Sequence, residues 1–140
     1  MLEFWGEYRF TLDDRGRLSV PANFRHEFEN GAMLTVSDDG CIELFTKEGH
    51  REMEKDVAVL PRTSPEGRQA RWRFYGRSLP AELDRQGRIL VPQEFRQQAA
   101  LQGPVVVSGN LECFQIWNPE RYRKQREERQ ASSSEQVEEG

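Results

Sequence analysis

Residues 12–28 read LDDRGRLSVPANFRHEF, and residues 83–99 read LDRQGRILVPQEFRQQA. At this offset of 71, eight of seventeen positions are identical, namely the Leu, Asp, Gly, Arg, Val, Pro, Phe and Arg pairs. Chance does not produce that agreement; it marks an internal repeat. With one residue inserted the likeness continues. Gly31 matches Gly103, Met33–Val36 matches Val105–Ser108, and Cys41–Phe45 (CIELF) matches Cys113–Trp117 (CFQIW). A charged segment follows each copy, HREMEKD in the first and PERYRKQREER in the second. The chain is therefore two copies of one small module.

Each copy reads as strands interrupted by short helices. Tyr8-Arg9-Phe10-Thr11-Leu12 alternates as a half-buried strand does, and after a polar turn Arg17-Leu18-Ser19-Val20 reads as the returning strand. Pro21 opens a short helix, because its missing N–H has no partner in a first turn anyway. Phe24 and Phe28 lie four apart and face the core together, and Gly31 ends that helix. Met33–Val36 and Cys41–Phe45 are two more strands joined by the turn Ser37-Asp38-Asp39-Gly40, and a helix over Glu48–Leu60 stops at Pro61. Arg62–Gly67 reads as a polar linker. The second copy repeats the plan, with Trp72–Leu79 as its opening strand and Pro119–Arg129 as its closing helix, while Ser132–Gly140 is polar and acidic and expected to be disordered.

The most informative element is the turn Asp13-Asp14-Arg15-Gly16-Arg17, echoed by Asp84-Arg85-Gln86-Gly87-Arg88. A three-residue hairpin loop is a type I turn followed by one left-handed residue. Glycine takes that position at little steric cost, which accounts for Gly16 and Gly87. With loop residues 14–16, Asp13 and Arg17 become cross-strand partners, and opposite charges so placed contribute about 0.2–1 kcal/mol. The same register pairs Leu12 with Leu18 and Phe10 with Val20 on the apolar face, and Thr11 with Ser19 on the polar one. In the second copy Leu83 meets Ile89 and Ala81 meets Val91, with Leu90 the main exception to the pattern. An aspartate that orients an arginine leaves other guanidinium donors free for phosphate or base edges. Arg9 falls near the open end of the polar face and Arg15 at the loop tip, and Arg85 occupies the site equivalent to Asp14. A two-stranded ribbon fits the DNA major groove, where arginine grips guanine O6 and N7.

Charge neither requires nor excludes such a partner. The formal net charge of the 140-residue chain is −4, but five of its acids and one of its bases lie in residues 127–140, so residues 1–126 are neutral. Arg62 to Arg96 holds eight arginines against four acids. Only Lys47, Lys55 and Lys124 of the 20 basic residues are lysine, and arginine alone can make two parallel bonds to phosphate or guanine. Modules of about 70 residues sit near the lower limit for a self-sufficient core, so pairing or oligomerisation is expected. No run of about 18 apolar residues spans a membrane. MLEFWGEYRF lacks the pattern of a secretory signal, and two cysteines do not make a disulfide framework, which suits a reducing compartment.

The strings FWGEYRFTLDDRGRLSVPANFR and LDRQGRILVPQEFR resemble the two copies found in the MraZ family of bacterial transcriptional regulators. The resemblance covers about residues 4–126. Its motif is Asp-x-x-x-Arg occurring twice, with Gly before the Arg and Pro four residues after it. One copy alone would suggest only the broader class of swapped-hairpin DNA-binding modules that includes AbrB and the MazE antitoxin. The resemblance implies an α+β, mainly β, fold of two tandem AbrB-like swapped-hairpin barrel modules with flanking helices, in a pseudo-twofold arrangement. Module 1 would span residues 4–61 and module 2 residues 71–126, with a linker at 62–70 and a disordered acidic tail at 127–140. It implies a homo-oligomeric ring, cytoplasmic and nucleoid-associated. That ring would bind short guanine-rich direct repeats in double-stranded DNA at the promoter of its own operon in the division and cell-wall gene cluster. The motif falls on Asp13 and Arg17, and on Asp84 and Arg88, and Arg15 occupies a loop site that is often basic in relatives. The DNA-binding set implied is Arg9, Arg15, Arg17, Arg85 and Arg88, oriented by Asp13 and Asp84 around Gly16 and Gly87. Gln86 replaces a basic position, so the carry-over is weaker for the second loop.

Two other readings are open to a chain of this kind. An enzyme would need a catalytic or metal constellation, and none is read here. His26 and His50 stand in charged helical contexts as surface residues, Cys41 and Cys113 occupy equivalent strand positions that suit buried packing, and there is no Gly-rich phosphate loop or HExxH. No cofactor, small-molecule substrate or membrane is expected. An AbrB-type antitoxin or interaction module without promoter specificity would usually carry one module and a disordered arm, whereas here the second half repeats the first. Trp5, Trp72 and Trp117 are read as core or subunit-contact residues on strands that point them inward.

Overall fold

The computed structural model describes residues 3–139. Among the described residues the repeated pattern yields eight strands: β1 (Glu7–Thr11), β2 (Arg17–Ser19), β3 (Ala32–Val36), β4 (Ile42–Thr46), β5 (Ser78–Ala81), β6 (Arg88–Leu90), β7 (Pro104–Gly109) and β8 (Phe114–Trp117). The helices are a 3-10 turn (Ala22–Phe28), α1 (Lys47–Ala58), α2 (Pro65–Phe74), α3 (Gln93–Ala99) and α4 (Pro119–Glu139). The alternation read in β1 is real, with Tyr8 and Phe10 packed against the core and Glu7, Arg9 and Thr11 exposed. Phe24 and Phe28 are both buried, and Gly31 follows in the left-handed region at φ 102°.

Strand pairing departs from the expected hairpins. Six strands form one antiparallel sheet in the order β1-β7-β8-β4-β3-β5, and β2 pairs with β6 in a separate two-stranded ribbon. The strand before each turn therefore pairs with the opposite copy. Tyr8 faces Val107 and Phe10 faces Val105, while Leu79 faces Leu34 and Ala81 faces Ala32. Leu12–Leu18, Phe10–Val20 and Ala81–Val91 do not form as partners, although a single bridge does join Leu83 to Ile89. The reason is burial: exchanged strands let both copies share one core. That core unites Leu18, Val20, Phe24 and Phe28 of the first copy with Ile89, Val91, Phe95 and Ala99 of the second, under Phe114 and Ile116 of the sheet. Fully burying one such side chain contributes about 1.5–3 kcal/mol, which two half-sized cores could not accumulate separately. On the opposite sheet face Trp117 packs with Cys41, Val106 and Tyr122 of α4.

Two segments read as irregular are helical. The stretch 62–70, read as linker, and Trp72–Leu79, read as a strand, instead hold α2, and only Ser78–Ala81 is extended. Ser64 caps α2 by accepting the Gly67 N–H at 3.0 Å, and Pro65 occupies its first turn. The tail at 127–140, read as disordered, continues α4 as far as Glu139; Gly140 lies outside the described residues. The chain is α+β with an antiparallel sheet, but its helices hold more residues than its strands, so "mainly β" is corrected. Trp72 rides on α2 and is exposed, as is Trp5, so only Trp117 of the three tryptophans is a core residue.

Candidate nucleic-acid interface

The two Asp-x-x-Gly-Arg turns fold as their residues dictate. Gly16 N–H donates to the Asp13 carbonyl at 3.0 Å and Asp13 N–H to the Arg17 carbonyl at 3.1 Å, closing a three-residue loop with Gly16 at φ 81°. Asp13 Oδ1 accepts the backbone N–H groups of Arg15 (3.0 Å) and Arg17 (2.8 Å), and Oδ2 accepts Arg17 Nε–H at 2.7 Å. Asp84 repeats this, accepting from the Gln86 and Arg88 N–H groups and from Arg88 Nε at 3.2 Å. The backbone N–H of Arg17, foremost, holds the Asp13 carboxyl below its ordinary range, and that of Arg88 does the same for Asp84.

The exchange of strands brings the two motifs together. On the β2–β6 ribbon Arg17 lies opposite Leu90 and Ser19 opposite Arg88, while Leu18 and Ile89 between them are buried against the core. Arg88 Nη1 also approaches Asp13 Oδ2 at 3.6 Å, so one carboxylate bridges both motif arginines. Arg17 uses only Nε, and Arg88 Nε and one Nη, among the described residues; the remaining guanidinium donors make no bond there, on half-buried side chains of a ribbon whose back is anchored. Leu90 is an exposed apolar side chain beside Arg17, which explains its breaking the sequence pattern.

Each turn is also gripped by the other copy. Val91 N–H donates to the Gly16 carbonyl at 2.9 Å and Val20 N–H to the Gly87 carbonyl at 3.0 Å. Arg96 Nε donates to the Val91 carbonyl and Arg25 Nε to the Val20 carbonyl, both at 3.0 Å. A Cβ added to Gly16 would lie 2.6 Å from Arg96 Nε, and one added to Gly87 would collide with Arg25 in the same way. Two equivalent recesses result, of about 600 Å³ beside Asp13, Asp14 and Arg96 and about 660 Å³ beside Asp84, Arg85 and Arg25. In the sequence Arg25 and Arg96 are legible only as one of the eight identical pairs.

The other expected residues fall less neatly. Arg15 and Arg85 sit exposed at the loop tips without ion pairs among the described residues. Arg9 does not join this cluster: β1 pairs with β7 rather than β2, and Arg9 bonds Glu7 and lines a cavity with Tyr122, Arg123 and Arg126 of α4. His50 is buried rather than exposed, stacked on Phe74 with Nε2 3.2 Å from Ser78 Oγ. Its burial among Phe45 and Phe74 follows from an α1–α2 contact that the linker reading could not supply. His26 is largely exposed, as expected. Cys41 and Cys113 are buried free thiols; burial pushes Cys41 up to about 12 and Cys113 further in the same direction. No group of three or more His, Cys, Asp or Glu among the described residues is placed to hold a metal ion, and no described helix is long and apolar enough to cross a membrane.

These features define a class: a duplicated α+β protein whose two copies exchange strands and together present one arginine-bearing β-ribbon. The chain matches the family model for MraZ protein, whose description adds the term antitoxin-like, over residues 4–71 and again over 75–140. It is 39% identical over 120 residues to the transcriptional regulator MraZ of Roseiflexus castenholzii, covering 86% of this chain and 84% of that one. It is 40% identical over 119 residues to that of Ligilactobacillus salivarius (85% and 83% covered) and 37% identical over 134 residues to that of Heliobacterium modesticaldum (96% and 93% covered). The chain belongs to the MraZ family. These relatives carry the names of regulators, not of enzymes.

Proposed function

We propose that this chain is a transcriptional regulator that binds double-stranded promoter DNA through the β2–β6 ribbon. The observation that carries the reading is the placement of Arg17 and Arg88, both half-buried, on the same face of one ribbon, bridged by Asp13, with guanidinium donors to spare. A two-stranded ribbon fits the major groove, and an arginine there grips guanine with two bonds. Arg15 and Arg85 at the loop tips flank the ribbon and supply phosphate contacts, with Gly16 and Gly87 allowing the turns and Asp13 and Asp84 orienting the arginines. Arg9, on the α4 side of the sheet, is the weakest member of the set.

The finer parts of the reading are a fold of two swapped-hairpin barrel modules and assembly into a ring, acting on the nucleoid in the cytoplasm. The exchanged strands support the first. Exposed Trp5, Val59, Trp72, Tyr75 and Leu111 support the second, since such side chains suit a subunit contact. A ring presents the same ribbon at regular spacing, which suits short guanine-rich direct repeats upstream of its own operon in the division and cell-wall gene cluster. Several weakly charged ribbons on one rim gain by effective concentration what each lacks alone. Affinity then rises steeply with repeat number and falls with salt. Mobility shifts on operators with one, two and three repeats, against random DNA of equal length, test this; equal affinity for all refutes it. Native mass measurement reads the assembly. Arg17→Ala is expected to remove the preference for the promoter and leave the mass unchanged. The family's antitoxin-like description favours one alternative, an interaction module without promoter specificity, for which promoter and random DNA bind alike.

A further inference from the structure

We propose that Arg25 and Arg96 are positioning residues that act across the duplication: Arg96, of the second copy, sets the turn that carries Arg17, and Arg25, of the first, sets the turn that carries Arg88. The inference rests on the DNA-binding reading above and assigns how that site is held. Each arginine closes a bracket around the opposite glycine. Val91 N–H holds the Gly16 carbonyl, the Val91 carbonyl holds Arg96 Nε, and the guanidinium then covers the Gly16 Cα where a methyl group would stand. Val20, Arg25 and Gly87 repeat the same arrangement.

The bracket matters because it ties the tip of each turn to the other copy, beyond the β2–β6 ladder and the buried Leu18 and Ile89 that anchor the ribbon's back. Asp13 and Arg17 are each about one-third exposed, and solvent screens an ion pair in that position. The local bonds shape the loop, but its orientation on the protein is set by what the other copy supplies. The glycines thus answer to two demands at once, a left-handed backbone and a close approach. A direct phosphate contact is the competing role for two arginines whose Nη groups make no bond among the described residues. Their surroundings oppose it. The recess at Arg96 is lined by Asp13 and Asp14, which repel an anion; that at Arg25 is lined by Glu29, Glu82 and Asp84, which outnumber the neighbouring Arg85.

The test uses the full chain and equilibrium binding to its own promoter fragment and to random DNA, across a salt series. Arg17→Lys and Arg88→Lys serve as weakened backgrounds, so that coupling is read above the non-specific floor. Arg96→Ala is expected to cut the promoter preference on the order of tenfold while random-DNA binding and the salt slope stay unchanged. Its effect should shrink more in the Arg17→Lys background than with Arg88→Lys, which touches the same turn only through the 3.6 Å contact with Asp13; Arg25→Ala should couple more strongly to Arg88→Lys. Additivity in both backgrounds, or coupling within a copy instead of across, overturns the proposal. A salt slope lowered by about 1 assigns a phosphate contact and overturns it too. Arg96→Lys keeps the charge but cannot both reach Val91 and cover Gly16, so it should resemble Arg96→Ala; recovery of preference by lysine refutes positioning. If both variants melt cooperatively at much lower temperature than the parent, the arginine is structural and the proposal falls. A parent protein without promoter preference removes the DNA reading itself, a result separable from all of these.

Discussion

Replacing Gly16 by alanine separates backbone strain from the close approach of Arg96. Gly103 is the control, because it shares the left-handed backbone (φ 67° against 81°) but has nothing within 4 Å of a built Cβ. Alanine at Gly103 incurs only the left-handed penalty, about 1 kcal/mol. At Gly16 the same penalty applies, and the new methyl would sit 2.6 Å from Arg96 Nε and 2.7 Å from its Cζ. The guanidinium must swing away and lose its bond to the Val91 carbonyl. A hydrogen bond from a charged donor contributes about 1.5–3 kcal/mol when buried, and roughly 1 kcal/mol after discounting for the partial exposure of Arg96. The expected losses are therefore about 2 kcal/mol for Gly16→Ala against about 1 kcal/mol for Gly103→Ala. Urea unfolding at matched protein concentration measures both, and a midpoint gap of roughly 0.3–1 M follows from slopes of 1–3 kcal/mol/M. Equal losses at the two glycines would refute the bracket.

Other substitutions and titrations probe the rest of the frame. Ile89→Ala empties a fully buried site beneath the ribbon and is expected to cost about 2–5 kcal/mol in the same assay; a loss under 1 would mean the ribbon is not anchored there. Thiolate-directed labelling at pH 8 should miss Cys41 and Cys113 in the folded protein and modify both in denaturant, since burial raises both thiols; prompt native labelling contradicts that placement. For His50, burial lowers the native pKa and outweighs Glu54, 3.3 Å away. Its neutral form is the folded form, so stability is full above about 6.5 and declines as pH falls toward the lowered native value. A urea midpoint that rises over that interval, in a difference taken against His50→Gln, contradicts it. For Asp13 and Asp84 the lowered native values mean that the turn bonds persist at pH 5 and are lost only as pH falls through those values, which carboxyl NMR titration reads directly.

What the sequence disclosed was local, and what it withheld was pairing. The Asp13–Gly16 and Asp84–Gly87 turns depend on contacts three or four residues apart, and their bonds came out as the residue types dictate. The same holds for the buried Phe24 and Phe28 after Pro21. Partner choice for β1 and β2 was not legible, because Phe10 against Val20 and Phe10 against Val105 satisfy alternation equally well. Only the shared core decides between them. Arg9 was misplaced for this reason alone. The α2 stretch failed differently: Trp72-Arg73-Phe74 alternates like a strand, yet the Ser64 cap and Pro65 sit seven or more residues upstream and set a helix through it. Once α2 is recognised, the exposure of Trp72 and the burial of His50 both follow.

Duplication within one chain has a consequence that a dimer of single modules would not share. If two identical modules exchanged strands, the ribbon would have true twofold symmetry, and a twofold reader suits a palindrome. Here the halves have diverged on the exposed face itself. Ser19 stands beside Arg88 where Leu90 stands beside Arg17, and the loop pair Asp14 and Arg15 answers to Arg85 and Gln86. One end of the ribbon therefore offers arginine with a hydroxyl and the other arginine with an apolar side chain, the kind that contacts a thymine methyl rather than a hydrogen-bonding edge. On the DNA-binding reading proposed above, a ribbon with such polarity would distinguish one direction along a duplex from the other. Direct repeats, which lack internal twofold symmetry, demand that property, and the core residues Leu18, Ile89, Val20 and Val91 have kept their symmetric packing while the outer face has lost it.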